Sequence, residues 1–168
     1  MSKGPFPISR IDQLVDAMVG HSRMSFLDAF QGYHQILLAI SDQEKAAFLT
    51  PTGNYHYRVM PFSLKNVGST YQRMVTRMFE SQIGQNVEAY IDDMIVKSKQ
   101  TSEHLNDLGS VFSVLREPKL CLNASKCSFG VSSGKFLDYM ITHRGVKVNP
   151  NQMKAINDLH SPWNPKEM

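Results

Sequence analysis

Several absences narrow what this chain of 168 residues can be. It has only two cysteines, Cys121 and Cys127, with no histidine or further cysteine at zinc-ligand spacing. A zinc site and a disulfide framework are therefore not expected, and both residues read as buried thiols. No apolar run approaches the roughly 20 residues that cross a bilayer. The start, Met1-Ser2-Lys3-Gly4-Pro5, lacks the apolar core of a signal peptide. These features predict an intracellular chain, cytoplasmic or nuclear, neither secreted nor membrane-bound. There is no internal repeat and no low-complexity tract. Charge is nearly balanced, 18 basic against 15 acidic residues for a net +3, which permits a polyanionic partner without requiring one. The length suits one domain with its own core, or a piece of something larger.

What is present is a succession of short periodic segments. Ser9 and Asp12 resemble a capping box, with Ile11, Leu14, Val15 and Met18 at helical spacing until Gly20. Met24 to Asp28 and Gln35 to Ile40 read as strands. Ala47 to Thr50 and Tyr55 to Val59 flank the turn signal Pro51-Thr52-Gly53-Asn54. Tyr71, Met74, Val75, Met78 and Phe79 form a helical stripe, as do Leu105, Leu108, Val111, Phe112 and Leu115, which Pro118 closes. Phe129 to Val131 and Lys135 to Ile141 read as a hairpin around Ser132-Ser133-Gly134. Asn149-Pro150 opens a last short helix carrying Met153, Ile156 and Leu159. The order suits an α+β sheet with helices on one face, leaving the other face free for a long ligand.

The stretch that stands out is Tyr90-Ile91-Asp92-Asp93, bracketed by Val87, Met94, Ile95 and Val96. Taken alone it is an exposed acidic turn between two strands. Two like charges among residues that want burial also suit a divalent cation, which relieves their repulsion. Asp28, closing the run Met24-Ser25-Phe26-Leu27, supplies a third carboxylate if that strand lies beside the hairpin. Mg²⁺ takes oxygen ligands and keeps several waters, so two or three carboxylates with substrate phosphates suit it. Fifteen acidic residues offer many other triples, so spacing alone does not establish convergence.

Phe26-Leu27-Asp28-Ala29-Phe30-Gln31-Gly32-Tyr33-His34-Gln35-Ile36 resembles motif A of retroelement reverse transcriptases. The segment from Met60-Pro61-Phe62-Ser63 to Tyr71-Gln72 resembles motif B, and Tyr90-Ile91-Asp92-Asp93 resembles motif C. Leu122-Asn123-Ala124-Ser125-Lys126-Cys127 with Phe129-Gly130-Val131 resembles the region before the primer grip, and Phe136-Leu137-Asp138-Tyr139 stands at the grip. Together, in order and from about Pro5 onward, they resemble the Ty3/Gypsy class of LTR retrotransposon polyproteins, the plant type in particular.

The resemblance implies a polymerase palm, a ferredoxin-like antiparallel sheet with helices on one face, plus part of the fingers. It implies a single domain fragment over residues 1–168, without most of the fingers, the thumb or an RNase H domain. It implies that Asp28, Asp92 and Asp93 are the catalytic, metal-binding residues, for two Mg²⁺ ions with Mn²⁺ able to stand in. Ala29, Tyr33, Phe62 and Gln72 would contact the incoming deoxynucleoside triphosphate, with Tyr33 excluding a 2′-hydroxyl. Tyr90, Leu137 and Asp138 would meet an RNA or DNA template with its primer. Other parts of the polyprotein are the remaining implied partners. Lys126 stands either as a solvated lysine or as a proton donor to leaving pyrophosphate, and Arg73, Arg77 and Lys65 as solvated or phosphate-contacting residues.

The chain departs from the family pattern at Ser63 and Asp138, where glycine is usual. Glycine permits close backbone approach, and a carboxylate beside primer phosphates repels them. Impaired polymerase activity of the isolated piece is therefore expected. The competing readings are a non-catalytic nucleic-acid-binding remnant that stacks bases on Tyr90 and Tyr33, and a decayed mobile-element relic with no ligand.

Overall fold

The computed structural model describes residues 16–136 together with residue 13, the segments 139–142 and 145–148, and residues 154 and 158. The expected first and last helices lie almost wholly outside the described residues, and Leu137 and Asp138 lie outside them altogether.

Six segments build the central layer. β1 (Arg23–Asp28) has its four inner residues buried, as befits a strand covered on both faces. Helix α1 (Val67–Met78) follows after an excursion described below. β4 (Val87–Tyr90) and β5 (Asp93–Ser98) then form a hairpin, helix α2 (His104–Arg116) crosses the sheet, and β6 (Ser128–Val131) returns. The spatial order is β4-β5-β1-β6 with antiparallel neighbours throughout. This is the split βαββαβ arrangement of a ferredoxin-like sheet, and the expected α+β palm architecture is present.

One face of that sheet carries Leu27, Ala29, Val87, Ala89, Met94 and Val96. They pack against Tyr71, Val75 and Phe79 from α1 and its end, and against Val111 and Leu115 of α2. Leu105, expected in the apolar stripe of α2, is instead 79% exposed. The opposite face carries Met24, Phe26 and Ile95, which pack with Met18, Phe136 and Ile141.

That second cluster corrects two expectations. The segment Phe129 to Val131 does not pair with the residues after it. It lies in β6 and pairs with β1, satisfying the backbone groups along the edge of β1 away from β5. β7 (Ser133–Phe136), β8 (Tyr139–Thr142) and β9 (Gly145–Val148) form their own antiparallel sheet. Gly134 lies flat on the Phe26 ring, where a Cβ would collide with it. The face expected to be free for a long ligand is thus partly covered.

The excursion between β1 and α1 holds a 3-10 turn (Gly32–Gln35), one helical turn (Ile40–Gln43) and the hairpin β2 (Ala47–Thr50) and β3 (Gly53–His56). The strand expected over Gln35 to Ile40 does not form. Leu37 and Ile40 are 78% and 85% exposed, and only single bonds tie this stretch to 58–60, through Leu38 N to Arg58 O and Met60 N to Ile36 O. The β2–β3 hairpin turns on two residues, Pro51 and Thr52, so the second strand opens at Gly53 rather than Tyr55. No helix of the described residues is long and apolar enough to cross a membrane.

Candidate active site

The three carboxylates meet at one end of the sheet. Asp28 closes β1, Asp93 opens β5, and the strand register sets them directly opposite each other. Tyr90 pairs with Asp93, which leaves Ile91 and Asp92 as a two-residue turn. Like charges opposite one another weaken a strand pair, so the sequence accepts a cost here.

The turn itself is strained. Ile91 has φ 52°, a left-handed conformation that β-branched residues avoid and that glycine or asparagine would take readily. Two anchors hold it. The buried Gln72 amide donates to Ala89 O at 3.0 Å and accepts the Ile91 N–H at 2.7 Å, and Ala29 N donates to Asp92 O at 3.1 Å.

The loop after β1 is fastened just as closely. Gln35 Nε2 donates to Phe30 O (2.6 Å) and Cys121 O (3.0 Å), while its Oε1 accepts the Cys121 N–H at 2.7 Å. Asn123 N donates to Asp28 O at 2.8 Å, and Asp28 N to Cys127 Sγ at 3.5 Å. Neither cysteine is a buried thiol: Cys121 is exposed and Cys127 half-buried, and both are free. Cys127 Sγ meets the Asp28 N–H, while the Cys121 backbone holds Phe30 and Gln35.

Electrostatics record the crowding. Burial, then the Asp28 and Asp93 charges, push the Asp92 carboxyl up to about 6, with Lys126 opposing. Asp93 is raised by burial and by Asp28, against Lys126 and Lys135. Lys126 Nζ lies 3.7 Å from Asp28 Oδ2 but is 66% exposed, so water screens much of its charge. Asp28, Asp93, Lys126 and Lys135 line a recess of about 60 Å³ floored by Phe26, Leu27, Met94 and Phe136. Larger recesses of about 440 and 610 Å³ lie elsewhere and contain none of the three carboxylates.

The donor set fits a hard divalent cation. Asp28, Asp92 and Asp93 offer only oxygen, their repulsion is poorly relieved, and Asp92 Oδ1 is buried without a hydrogen-bond partner. Among the described residues no three His, Cys, Asp or Glu side chains are grouped so as to hold a metal ion by themselves. A hard divalent cation takes such carboxylates together with water and further oxygens.

The sequence pattern of the family described as "Reverse transcriptase (RNA-dependent DNA polymerase)" matches residues 2–141. The chain belongs to the reverse transcriptase family. Relatives of this reverse transcriptase segment include the Retrovirus-related Pol polyproteins from transposons 297 and gypsy of Drosophila melanogaster, 32% and 30% identical over 97% and 94% of the chain. The Transposon Tf2-3 polyprotein of Schizosaccharomyces pombe is 29% identical over 97% of it. All are of the Ty3/Gypsy type, insect and fungal. The chain spans about 15%, 15% and 12% of those polyproteins. Among solved structures, foamy viral protease-reverse transcriptase bound to an RNA/DNA hybrid superposes with a TM-score of 0.84 at 21% identity, over 95% of this chain and 21% of the viral one. Its complex with double-stranded DNA gives 0.85 over 96% and 33%. These likenesses establish the fold.

Tyr33 is buried beside Asp92, edge-on to Phe62 at 5.0 Å and to Tyr71 at 5.3 Å. Phe62 is 59% exposed and also meets His34. Ala29 is buried under the turn, and Tyr90 packs partly on the second core cluster. Gln72 is spent on the turn backbone, so its amide is an anchor of the site rather than a free group in the pocket. Ser63 is exposed and is not among the residues with positive φ, so the departure from glycine causes no backbone strain there.

Sequence reading missed Gly32, Gln35 and Lys135. A Cβ on Gly32 would lie 2.6 Å from Asp92 Oδ1, so glycine is required for that carboxylate to sit where it does. Only the shared motif hinted at Gly32 and Gln35, and nothing local marked Lys135.

Proposed function

We propose that the chain is the palm, with part of the fingers, of an RNA- and DNA-templated DNA polymerase that adds deoxynucleotides to a primer 3′-hydroxyl. The observation that carries this reading is the pairing of Asp28 with Asp93 beside a turn that presents Asp92. These three would hold two Mg²⁺ ions, with Mn²⁺ as a substitute. Bound there, the ions would stabilise charge on the attacking and leaving oxygens of an in-line phosphoryl transfer.

The chain's own residues supply position. Tyr33, buried against Phe62 and Tyr71, is held rigidly enough to exclude a 2′-hydroxyl by contact. Phe62 offers an exposed ring for the nucleotide, and Ala29 sets the floor between Tyr33 and the turn. Tyr90, with Leu137 and Asp138, would approach the template–primer. Lys126 is placed to balance charge as Asp28 engages substrate. The viral neighbours bind RNA/DNA hybrid and double-stranded DNA, which supports the same partners here. Such a polymerase would work in the cytoplasm or nucleus alongside the rest of its polyprotein.

We further propose that these 168 residues alone extend a primer weakly. Primer extension on poly(rA)·oligo(dT) tests both points. The 168-residue chain should give little product, whereas the same segment within its longer reading frame should give Mg²⁺-dependent synthesis that Asp92→Asn abolishes. Salt-sensitive nucleic-acid binding indifferent to EDTA, with no incorporation by either form, would replace this reading with a non-catalytic binder.

A further inference from the structure

Two buried oxygens beside the turn have no hydrogen-bond partner: the Tyr71 hydroxyl and Asp92 Oδ1. Both crowd the same point, since a Cβ built on Gly32 would lie 2.9 Å from the first and 2.6 Å from the second. Tyr71 is fully buried, on the first half of α1, and Tyr33 closes the other side of its ring. A buried acceptor and a buried donor left unmatched side by side is a rare arrangement in proteins, because each lost partner is costly. The two also sense each other: after burial, the Asp92 charge is the largest influence raising the Tyr71 hydroxyl above its ordinary range.

We propose that Tyr71 is a positioning residue: its hydroxyl and Asp92 Oδ1, unbonded to each other in this structure, close into a hydrogen bond in solution that turns the opposite carboxylate oxygen toward the cation. Gly32 is the third member of the device, because any side chain there would separate the two oxygens. The phenol is rigid, with its ring fixed between Tyr33 and the helix–sheet core, so it holds the carboxylate in one rotamer. Gln72, the next residue on α1, fixes the turn backbone, so one helix sets both the main chain and the side chain of Asp92. Partners behind metal ligands characteristically cost 10–100-fold in metal affinity when removed.

The inference rests on the metal-site reading, and two measurements keep their failures apart. Mn²⁺ binding to the 168-residue chain, followed by electron paramagnetic resonance without nucleotide, should weaken about 10-fold in Tyr71→Phe while the melting temperature stays within a few degrees. Equal Mn²⁺ affinity in wild type and Tyr71→Phe would overturn the inference. Absence of Mn²⁺ binding by wild type would count against the metal site itself, and the second measurement then decides. In metal-free protein labelled at tyrosine Cζ, the Tyr71 carbon resonance should move clearly more on Asp92→Asn than on Asp28→Asn. A Tyr71 resonance indifferent to Asp92→Asn would show that the hydroxyl does not hold that carboxylate.

Discussion

The side-chain amide of Gln72 grips the backbone at Ile91, accepting its N–H at 2.7 Å while donating to Ala89 O at 3.0 Å. Ile91 sits at φ 52°, which costs an L-residue about 1–2 kcal/mol. Gln72→Ala leaves those backbone groups without their partner at the point of strain. The expected loss is about 2–4 kcal/mol in urea denaturation, with primer extension falling further than folding. A loss below about 0.5 kcal/mol would mean that the turn holds its shape without the clamp.

Asp92 makes the metal-free fold sensitive to pH. Its carboxyl rises from an ordinary 3.8 to about 6, so between those values the folded state holds more protons than the unfolded one. Stability from this group is full below about 4, falls as pH rises, and is lost above about 6. Asp92→Asn should therefore stabilise the EDTA-treated chain at pH 7, by about 1 kcal/mol once solvent screening of a partly exposed group is allowed for. The gain should be absent at pH 4. Thermal melts at the two pH values check it, and no change in the pH dependence on substitution would contradict the repulsion described.

A buried relay links β1, β5, β6 and α2. Gly130 N donates to Ser25 Oγ (3.0 Å), Ser25 Oγ lies 2.7 Å from His104 Nε2, and Ser98 Oγ lies 2.8 Å from His104 Nδ1 and donates to Asp107 Oδ2 (2.5 Å). That network assigns the imidazole proton to Nδ1 and leaves Nε2 as an acceptor. Burial depresses the His104 pKa from 6.5, Asp107 opposes and Arg23 adds to the depression. The unfolded state therefore takes up the proton first, and stability falls as pH drops through about 6.5. With Asp92→Asn as the background, which removes the opposing carboxylate, the urea midpoint should be lower at pH 5.5 than at pH 7.5, and His104→Asn should shrink the difference. An unchanged difference would place the acid sensitivity elsewhere.

The pair Lys97 and Glu88 bridges β5 and β4 at 2.7 Å with side chains 3% and 5% exposed. Lys97→Met strands a buried carboxylate and should cost about 3–5 kcal/mol. The double variant with Glu88→Leu should recover most of that loss. A double-mutant cycle by chemical denaturation gives the coupling, and additive losses would show that the pair does not act as a unit.

Much of the fold was legible because its segments are locally consistent. Met24 to Asp28, the α1 stripe and the hairpin around Tyr90 to Asp93 each carry a period that matches their place in the sheet. Reading failed where partners lie far along the chain. Gln35 to Ile40 has the β-branched and apolar content of a strand but pairs only at Leu37 with Val59, and Phe129 to Val131 found β1 rather than its neighbour. Leu105 satisfied helical spacing, yet the stripe rotates away from it before it can be buried.

By itself, the sequence determined the chemistry on offer: three carboxylates, an acidic pair where the chain must turn, a motif aromatic at Tyr33, and a run of elements that suits an α+β sheet. The tertiary structure alone decided that Asp28 and Asp93 face each other, because strand register is set by pairing across 65 positions of chain. It also decided that Gln72 serves the backbone, that Gly32 makes room for Asp92, and that Tyr71 ends beside that carboxylate. Such relationships have no local signature, since burial and hydrogen-bond partners are properties of the packed chain and not of its segments.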